Sequence, residues 1–190
     1  MKIGIFGGSF DPIHTGHAML ANFISQCNIV DQVWLTVSRK NPLKEHSTYA
    51  TERQRVEMVK LVAAYCSNVE VCLEELNLPY PSYTYNTLCH LQKLFPQNEF
   101  KIIIGSDNLS TLHQWKESEK ILQEFGVIVY PRPGYPLKGE EPSGMKYLNG
   151  APEFSISSSL IREYISSKWN INYFVPLEVA EYIKINKLYL

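Results

Sequence analysis

Gly7-Gly8-Ser9-Phe10-Asp11-Pro12-Ile13-His14-Thr15-Gly16-His17 is the stretch that decides the reading of this chain. Upstream of it, residues 2–6 (Lys-Ile-Gly-Ile-Phe) form a short apolar run. Downstream, residues 15–27 place Ala18, Leu20, Phe23 and Ile24 at helical spacing. A buried strand that turns sharply through glycines into a helix is the first unit of a doubly wound sheet, and its turn lies at the carboxyl edge, where such sheets bind ligands. Gly7 and Gly8 allow close approach of a ligand to the backbone, and free N–H groups at the turn and helix start suit phosphate oxygens.

The pattern repeats outward. Residues 32–37, 69–73, 100–104 and 126–130 are further short runs rich in β-branched residues and bounded by turn signals, as expected of buried parallel strands. Between them, residues 51–65 (Val56, Val59, Leu61, Val62) and 84–95 (Tyr85, Leu88, Leu91, Leu94) read as amphipathic helices, and 116–125 as a short charged one. This alternation predicts an α/β fold with a doubly wound, mostly parallel sheet. Pro131, Pro133, Pro136 and Pro142 with Gly134, Gly139 and Gly144 make 131–150 a loop or short excursion. Helical patterns at 158–167 and 176–187 then predict a small C-terminal helical part that packs back on the sheet or caps it.

Composition sets the outer bounds. The 190 residues are 45% hydrophobic and 19% charged, as in a folded globular chain of one domain. A net charge of −1 argues against an extended nucleic-acid surface. No apolar run reaches the roughly 20 residues of a bilayer span, and Met1–Phe10 lacks the pattern of a signal peptide, so a cytoplasmic location is expected. Cys27, Cys66, Cys72 and Cys89 are widely spaced, which predicts free, structural thiols.

The turn is neither a Walker A loop nor a dinucleotide fingerprint, since no Gly-Lys-Ser/Thr follows and the glycines miss G-x-G-x-x-G. His14 and His17, three apart at a helix start, can project to one side and donate hydrogen bonds to phosphoryl oxygens as charge develops; Gly16 between them would let a ligand approach the backbone. The same pair also reads as two helix-capping histidines, or as a metal pair without an obvious third ligand. A second element, Ile156-Ser157-Ser158-Ser159-Leu160-Ile161-Arg162, reads as a hydroxyl-capped helix start with an arginine one turn in. That arginine is either a surface residue or a bidentate phosphate ligand. The two helix starts converge only if the fold brings them to one sheet edge.

Together the two motifs resemble the nucleotidyltransferase superfamily that carries H-x-G-H near the N-terminus and I-S-S-x-x-I-R near the C-terminus. Within it the chain is similar to the bacterial nicotinate-mononucleotide adenylyltransferases. Asn41-Pro42-Leu43-Lys44, the segment from Pro81-Ser82-Tyr83-Thr84 to Leu88, Gly105-Ser106-Asp107-Asn108-Leu109 with Trp115, and Arg132-Pro133-Gly134 extend the match. The resemblance implies a Rossmann-like nucleotidyltransferase domain over 1–190, with a sheet core in 1–150 and a helical subregion in 151–190. It implies transfer of AMP from ATP to nicotinate mononucleotide, giving deamido-NAD and pyrophosphate, with no covalent enzyme intermediate.

By position, the resemblance implies catalytic roles for His14, His17, Lys44 and Arg162. It implies ATP contacts from Gly7, Gly8, Ser9, Phe10, Gly105, Asp107, Ser157, Ser158 and Arg162. It implies mononucleotide contacts from Lys44, Tyr83, Thr84, Trp115 and Arg132. Lys44 also reads as a solvated loop lysine, and Trp115 as a core residue. His46, His90 and His113 are read as structural or surface residues. No carboxylate cluster suggests a protein-held metal, so Mg²⁺ is expected to arrive on ATP. The expected partners are small molecules, not nucleic acid or membrane; a homo-oligomer stays open. Asn86 departs from the family's frequent aspartate, which leaves acid-versus-amide preference open. The alternatives are nicotinamide mononucleotide or 4′-phosphopantetheine as acceptor, or a non-catalytic nucleotide sensor.

Overall fold

The computed structural model describes residues 1–39 and 49–190; Lys44, its segment 41–44 and His46 lie outside them. Among the described residues six strands form one sheet: β1 (Lys2–Gly8), β2 (Gln32–Val37), β3 (Val69–Cys72), β4 (Glu99–Gly105), β5 (Val127–Tyr130) and β6 (Met145–Tyr147). The order is β3-β2-β1-β4-β5-β6 and every pairing is parallel. The sheet is therefore wholly, not mostly, parallel.

The strands are apolar because both faces are covered. Alternate residues enter two separate apolar layers. Phe6, Val33, Leu35, Val37, Ile103 and Ile128 face one. Ile3, Ile5, Phe100, Ile102, Ile104, Val127 and Val129 face the other. Helices α1 (Thr15–Ile24) and α2 (Glu52–Ala63) line the first layer through Leu20, Ala21, Ile24, Val56, Met58 and Val59. Helix α3 (Thr84–Leu94) covers the second through Leu88 and Leu91. Helix α2 starts at a capping box, in which Thr51 and Gln54 satisfy each other's backbone N–H groups.

Two predicted segments differ. The helix expected over 116–125 is observed over 118–125, as α5 (Ser118–Lys120) running into a five-residue π turn, Ile121–Phe125, and a short α4 (Leu109–Leu112) precedes it. Glu117 between α4 and α5 has φ +56°, which interrupts helical winding. Within 131–150, β6 adds a three-residue strand to β5. Three residues carry no readable periodicity, and pairing at a sheet edge uses only backbone groups. Gly144 sets it up: its φ is +79°, and a Cβ there would lie 2.4 Å from the Leu122 carbonyl oxygen.

The C-terminal helices α6 (Ser158–Ser166) and α7 (Leu177–Ile185) pack back onto the sheet side. Ile161, Ile165, Val179, Ile183 and Leu188 join the first apolar layer, and α7 lies against α2. β1 stands between β2 and β4, so chain order reverses at its carboxyl end. The crevice between the ends of β1 and β4 is the switch point of the sheet.

Candidate active site

The turn after β1 is held by an unusual cap. His14 is the N-cap of α1 and His17 its third residue. The His17 backbone N–H donates to His14 Nδ1 at 3.3 Å, and the His14 backbone N–H donates to His17 Nδ1 at 3.3 Å. The rings stack with centroids 3.6 Å apart and planes inclined by 23°. An Nδ1 that accepts a backbone N–H carries no proton, so each neutral ring bears its proton on Nε2. Burial, with the charge of Arg132 second, lowers the His14 pKa to about 3, which keeps that ring neutral. The capping reading of this pair is what the structure shows, and the cap leaves Nε2 as the protonated nitrogen of each ring.

The two histidines are not equivalent. His14 is only 3% exposed, whereas His17 is half-buried. His17 packs edge-on against Phe10 at 5.1 Å and Phe6 at 5.9 Å. The rings lie together on one side of the helix start, as their spacing implies, but only His17 is more than marginally exposed. The expectation for Gly16 is corrected. It is buried, and a Cβ there would lie 3.2 Å from His14 Nδ1, so its missing side chain makes room for the His14 ring, not for a ligand. Phe10, expected against ATP phosphates, has a ring 1% exposed in the core and φ +47°; only its backbone remains for a ligand.

The two helix starts meet. Ser158 Oγ donates to the Pro12 carbonyl at 2.8 Å. Arg162 Nη1 donates to the Asp11 carbonyl at 2.6 Å and Nη2 to Ser159 Oγ at 3.1 Å, with the guanidinium 4.5 Å over the Tyr49 ring. Ser157 caps α6 by accepting from the Leu160 N–H at 3.2 Å. Residues 146 and 151 positions apart are therefore joined at one rim.

Beside that rim, between the ends of β1 and β4, lies a cleft of about 360 Å³. Gly7, Gly8, Ser9, Gly105, Asp107, Tyr83, Thr84 and Trp115 all line it. Tyr83 is the N-cap of α3 and Thr84 its first residue, so backbone N–H groups of a helix start face that wall. Lys116 sits 4.7 Å over the Tyr83 ring. Trp115 is half-buried, with part of its surface on the second apolar layer and part on the cleft. Asn86 is exposed and makes no side-chain cap to α3. Arg132, expected among the mononucleotide contacts, does not line this cleft; its Nε lies 3.9 Å from Asp107 Oδ1. Its charge bears on His14.

Three residues with large roles here escaped the sequence reading. Arg55 of α2 is 1% exposed and donates to the Ser9 and Ser38 carbonyls, both at 2.6 Å, and to the Arg39 carbonyl at 3.4 Å. It ties the turn after β1 to the turn after β2. Its signal was an arginine inside an apolar helical stripe. Asp11, 3% exposed, accepts from the N–H groups of Tyr49 (2.7 Å) and Ala50 (3.0 Å). Glu75 lines the cleft and accepts from Ser82 Oγ at 3.0 Å; nothing in its sequence context marked it. His90, read as structural, pairs with Glu74 at 3.2 Å. All four cysteines are free, with Cys72 buried and the others half-buried. Among the described residues no group of three His, Cys, Asp or Glu side chains could hold a metal, and no helix is long and apolar enough to cross a membrane.

This geometry has close counterparts. The cytidylyltransferase-like family model matches residues 5–164. A probable nicotinate-nucleotide adenylyltransferase of Flavobacterium psychrophilum is 40% identical over 196 aligned positions, covering 100% of this chain and 99% of its own. One from Bacillus anthracis is 36% identical, covering 99% of this chain and 98% of its own. Among solved structures, the nicotinic acid mononucleotide adenylyltransferase of Plasmodium falciparum complexed with NaAD superposes with a TM-score of 0.78 at 25% identity, over 99% of this chain and 97% of that one.

Proposed function

Because the chain belongs to the cytidylyltransferase-like family and, within it, to the nicotinate-nucleotide adenylyltransferases, we propose that it moves AMP from ATP to nicotinate mononucleotide, giving deamido-NAD and pyrophosphate. The observation that carries this reading is the convergence of His14, His17 and Arg162 on the turn after β1, whose Gly7, Gly8 and Ser9 line the switch-point cleft. A phosphate oxygen of the mononucleotide attacks the α-phosphorus of ATP in line, the bond to the β-phosphate bridging oxygen breaks, and pyrophosphate leaves. Both reactants are anions. The protein therefore supplies position and positive or N–H groups rather than an acid–base pair.

In this reading the backbone of Gly7, Gly8, Ser9 and Phe10 lines the ATP phosphates, and His17 donates from Nε2 to phosphoryl oxygens. His14 fixes His17 from behind. Arg162 and Ser158 hold the β- and γ-phosphates; Ser157 positions α6 and its cap. Gly105 makes room for the Asp107 and Arg132 side chains, and Asp107 accepts ribose hydroxyls. Across the cleft, Tyr83 and Thr84 receive the pyridine carboxylate and Trp115 offers its face to the ring. Arg132 serves phosphates from beside Asp107. Lys44, outside the described residues, is assigned a phosphate on the resemblance alone. Mg²⁺ enters as part of the MgATP substrate. We read 1–190 as one nucleotidyltransferase domain, supported by the packing of α6 and α7 into the layer under β1 and β2.

The test is pyrophosphate release with nicotinate and nicotinamide mononucleotides side by side. A clear kcat/KM preference for the acid is expected; equal values would refute the acid assignment.

A further inference from the structure

Placing a carboxylate-bearing acceptor in this cleft raises a conflict. Glu75 lines the same wall as Ser82, Tyr83 and Thr84. An ionised glutamate there would repel the pyridine carboxylate across a partly desolvated space, where like charges cost most. We propose that Glu75 is a specificity-determining residue, which takes up a proton from solvent when an acidic pyridine mononucleotide enters the cleft and, when ionised, instead accepts a hydrogen bond from a carboxamide. The proposal rests on the acceptor-cleft reading given above.

The surroundings of Glu75 support this. It belongs to a 3₁₀ turn (Glu74–Asn77) between β3 and α3, within hydrogen-bond reach of Ser82 in the segment that leads to Tyr83 and Thr84. Its proton state therefore bears directly on that segment. Among the described residues Arg55 from α2 is the cation that acts on it; its two Nη groups donate to three backbone carbonyls, while its buried Nε has no hydrogen-bond partner. Cys72 at the end of β3 feels the Glu75 charge, and its thiol is pushed up mainly by burial. Arg39 donates to the Leu76 and Leu78 carbonyls around the turn and pairs with Glu52, not with Glu75. Glu74 is paired with His90 of α3. Lys116 and Asp107 stand on the same cleft wall system. Burial is the largest influence on Glu75, ahead of the Ser82 hydrogen bond and the Arg55 charge, and the balance raises its pKa to about 7. Protonation is therefore accessible at neutral pH.

The experiment measures kcat/KM for the two mononucleotides from pH 6 to 9 and follows their ratio. Both carry the same phosphate, so its ionisation cancels. Uptake of one proton with the acid predicts that the acid-to-amide ratio falls as pH rises, by up to about tenfold per unit above the Glu75 pKa. In Glu75→Gln the ratio should become flat. A flat wild-type ratio, or a slope that persists in Glu75→Gln, would overturn the proposal. Ser82→Ala gives a second reading. The Ser82 hydroxyl lowers the Glu75 pKa, so its removal should move the midpoint of the ratio to higher pH; an unmoved midpoint counts against the proposal. Turnover of neither mononucleotide would overturn the acceptor-cleft reading itself, and this inference with it.

Discussion

The hydroxyl of Tyr189 donates a 2.8 Å hydrogen bond to Asp11, 178 positions earlier in the chain. The same carboxylate accepts the Tyr49 and Ala50 N–H groups, and the Asp11 carbonyl accepts Arg162. One buried residue in the first turn thus gathers the start of α2, the start of α6 and the segment after α7. Burial and the adjacent Asp11 carboxylate both hold the Tyr189 phenol well above its ordinary pKa, so it stays a donor throughout the working range.

Tyr189→Phe removes that donor and leaves the carboxylate its two backbone partners. A hydrogen bond to a charged acceptor contributes about 1.5–3 kcal/mol. The variant should lose unfolding free energy in that range and so unfold at lower urea concentration. An unchanged midpoint would show that the latch carries no stability.

Gly105→Ala tests the close approach at the end of β4. The new Cβ would lie 2.3 Å from Asp107 Oδ1 and 2.9 Å from Arg132 Cγ. Asp107 Oδ1 is the end of a side chain and can swing away, while Arg132 and the Tyr130 ring, 3.2 Å off, must shift slightly, so folding should survive at a cost of about 1–3 kcal/mol. The displaced Asp107 should raise KM for ATP more than KM for the mononucleotide. The reverse pattern would place Asp107 on the other substrate.

His17→Ala deletes the donor assigned to the transition state and leaves the glycine turn intact. Turnover should fall by at least about 100-fold, the scale of losing one such donor, while ATP binding measured by calorimetry persists. Near-normal turnover would remove His17 from the chemistry.

His14→Asn tests the buried imidazole through stability rather than rate. Asparagine keeps a side-chain acceptor at the N-cap. The His14 pKa is lowered from 6.5 to about 3 by burial. Below pH 6.5 the unfolded chain therefore binds a proton that the folded one excludes. The stability contributed by neutral His14 is complete above pH 6.5 and is lost as pH falls toward 3. Between pH 7 and 5 the wild type should lose about 2 kcal/mol more than His14→Asn. Equal losses in denaturant titrations at the two pH values would mean that His14 ionises as freely in the fold as outside it.

Much of this molecule was legible without coordinates, because buried parallel strands and amphipathic helices leave regular apolar patterns. β1 to β5 are read to within two residues of their ends, and so are the starts of α1, α2, α3, α6 and α7. β6 was hidden because its three residues pair through backbone alone, and the helix expected over 116–125 starts at Ser118 because Glu117 adopts a left-handed conformation that no side-chain pattern announces. Residues with local motifs come together at the rim and the cleft: the glycine turn, the histidine pair, the hydroxyl-rich helix start, Asp107 and Trp115. Arg55, Glu75 and Tyr189 were not, since each matters for a partner remote in the chain.

The amino-acid order by itself determined the layering of the fold and the chemistry on offer, for both follow from short-range periodicity and from side chains a few positions apart. Tertiary structure alone decided which of those groups meet, which histidine is sealed and which half-open, and that a glutamate shares the cleft with the assigned acceptor carboxylate. Burial and long-range proximity set protonation and charge, and neither quantity exists until the chain has folded.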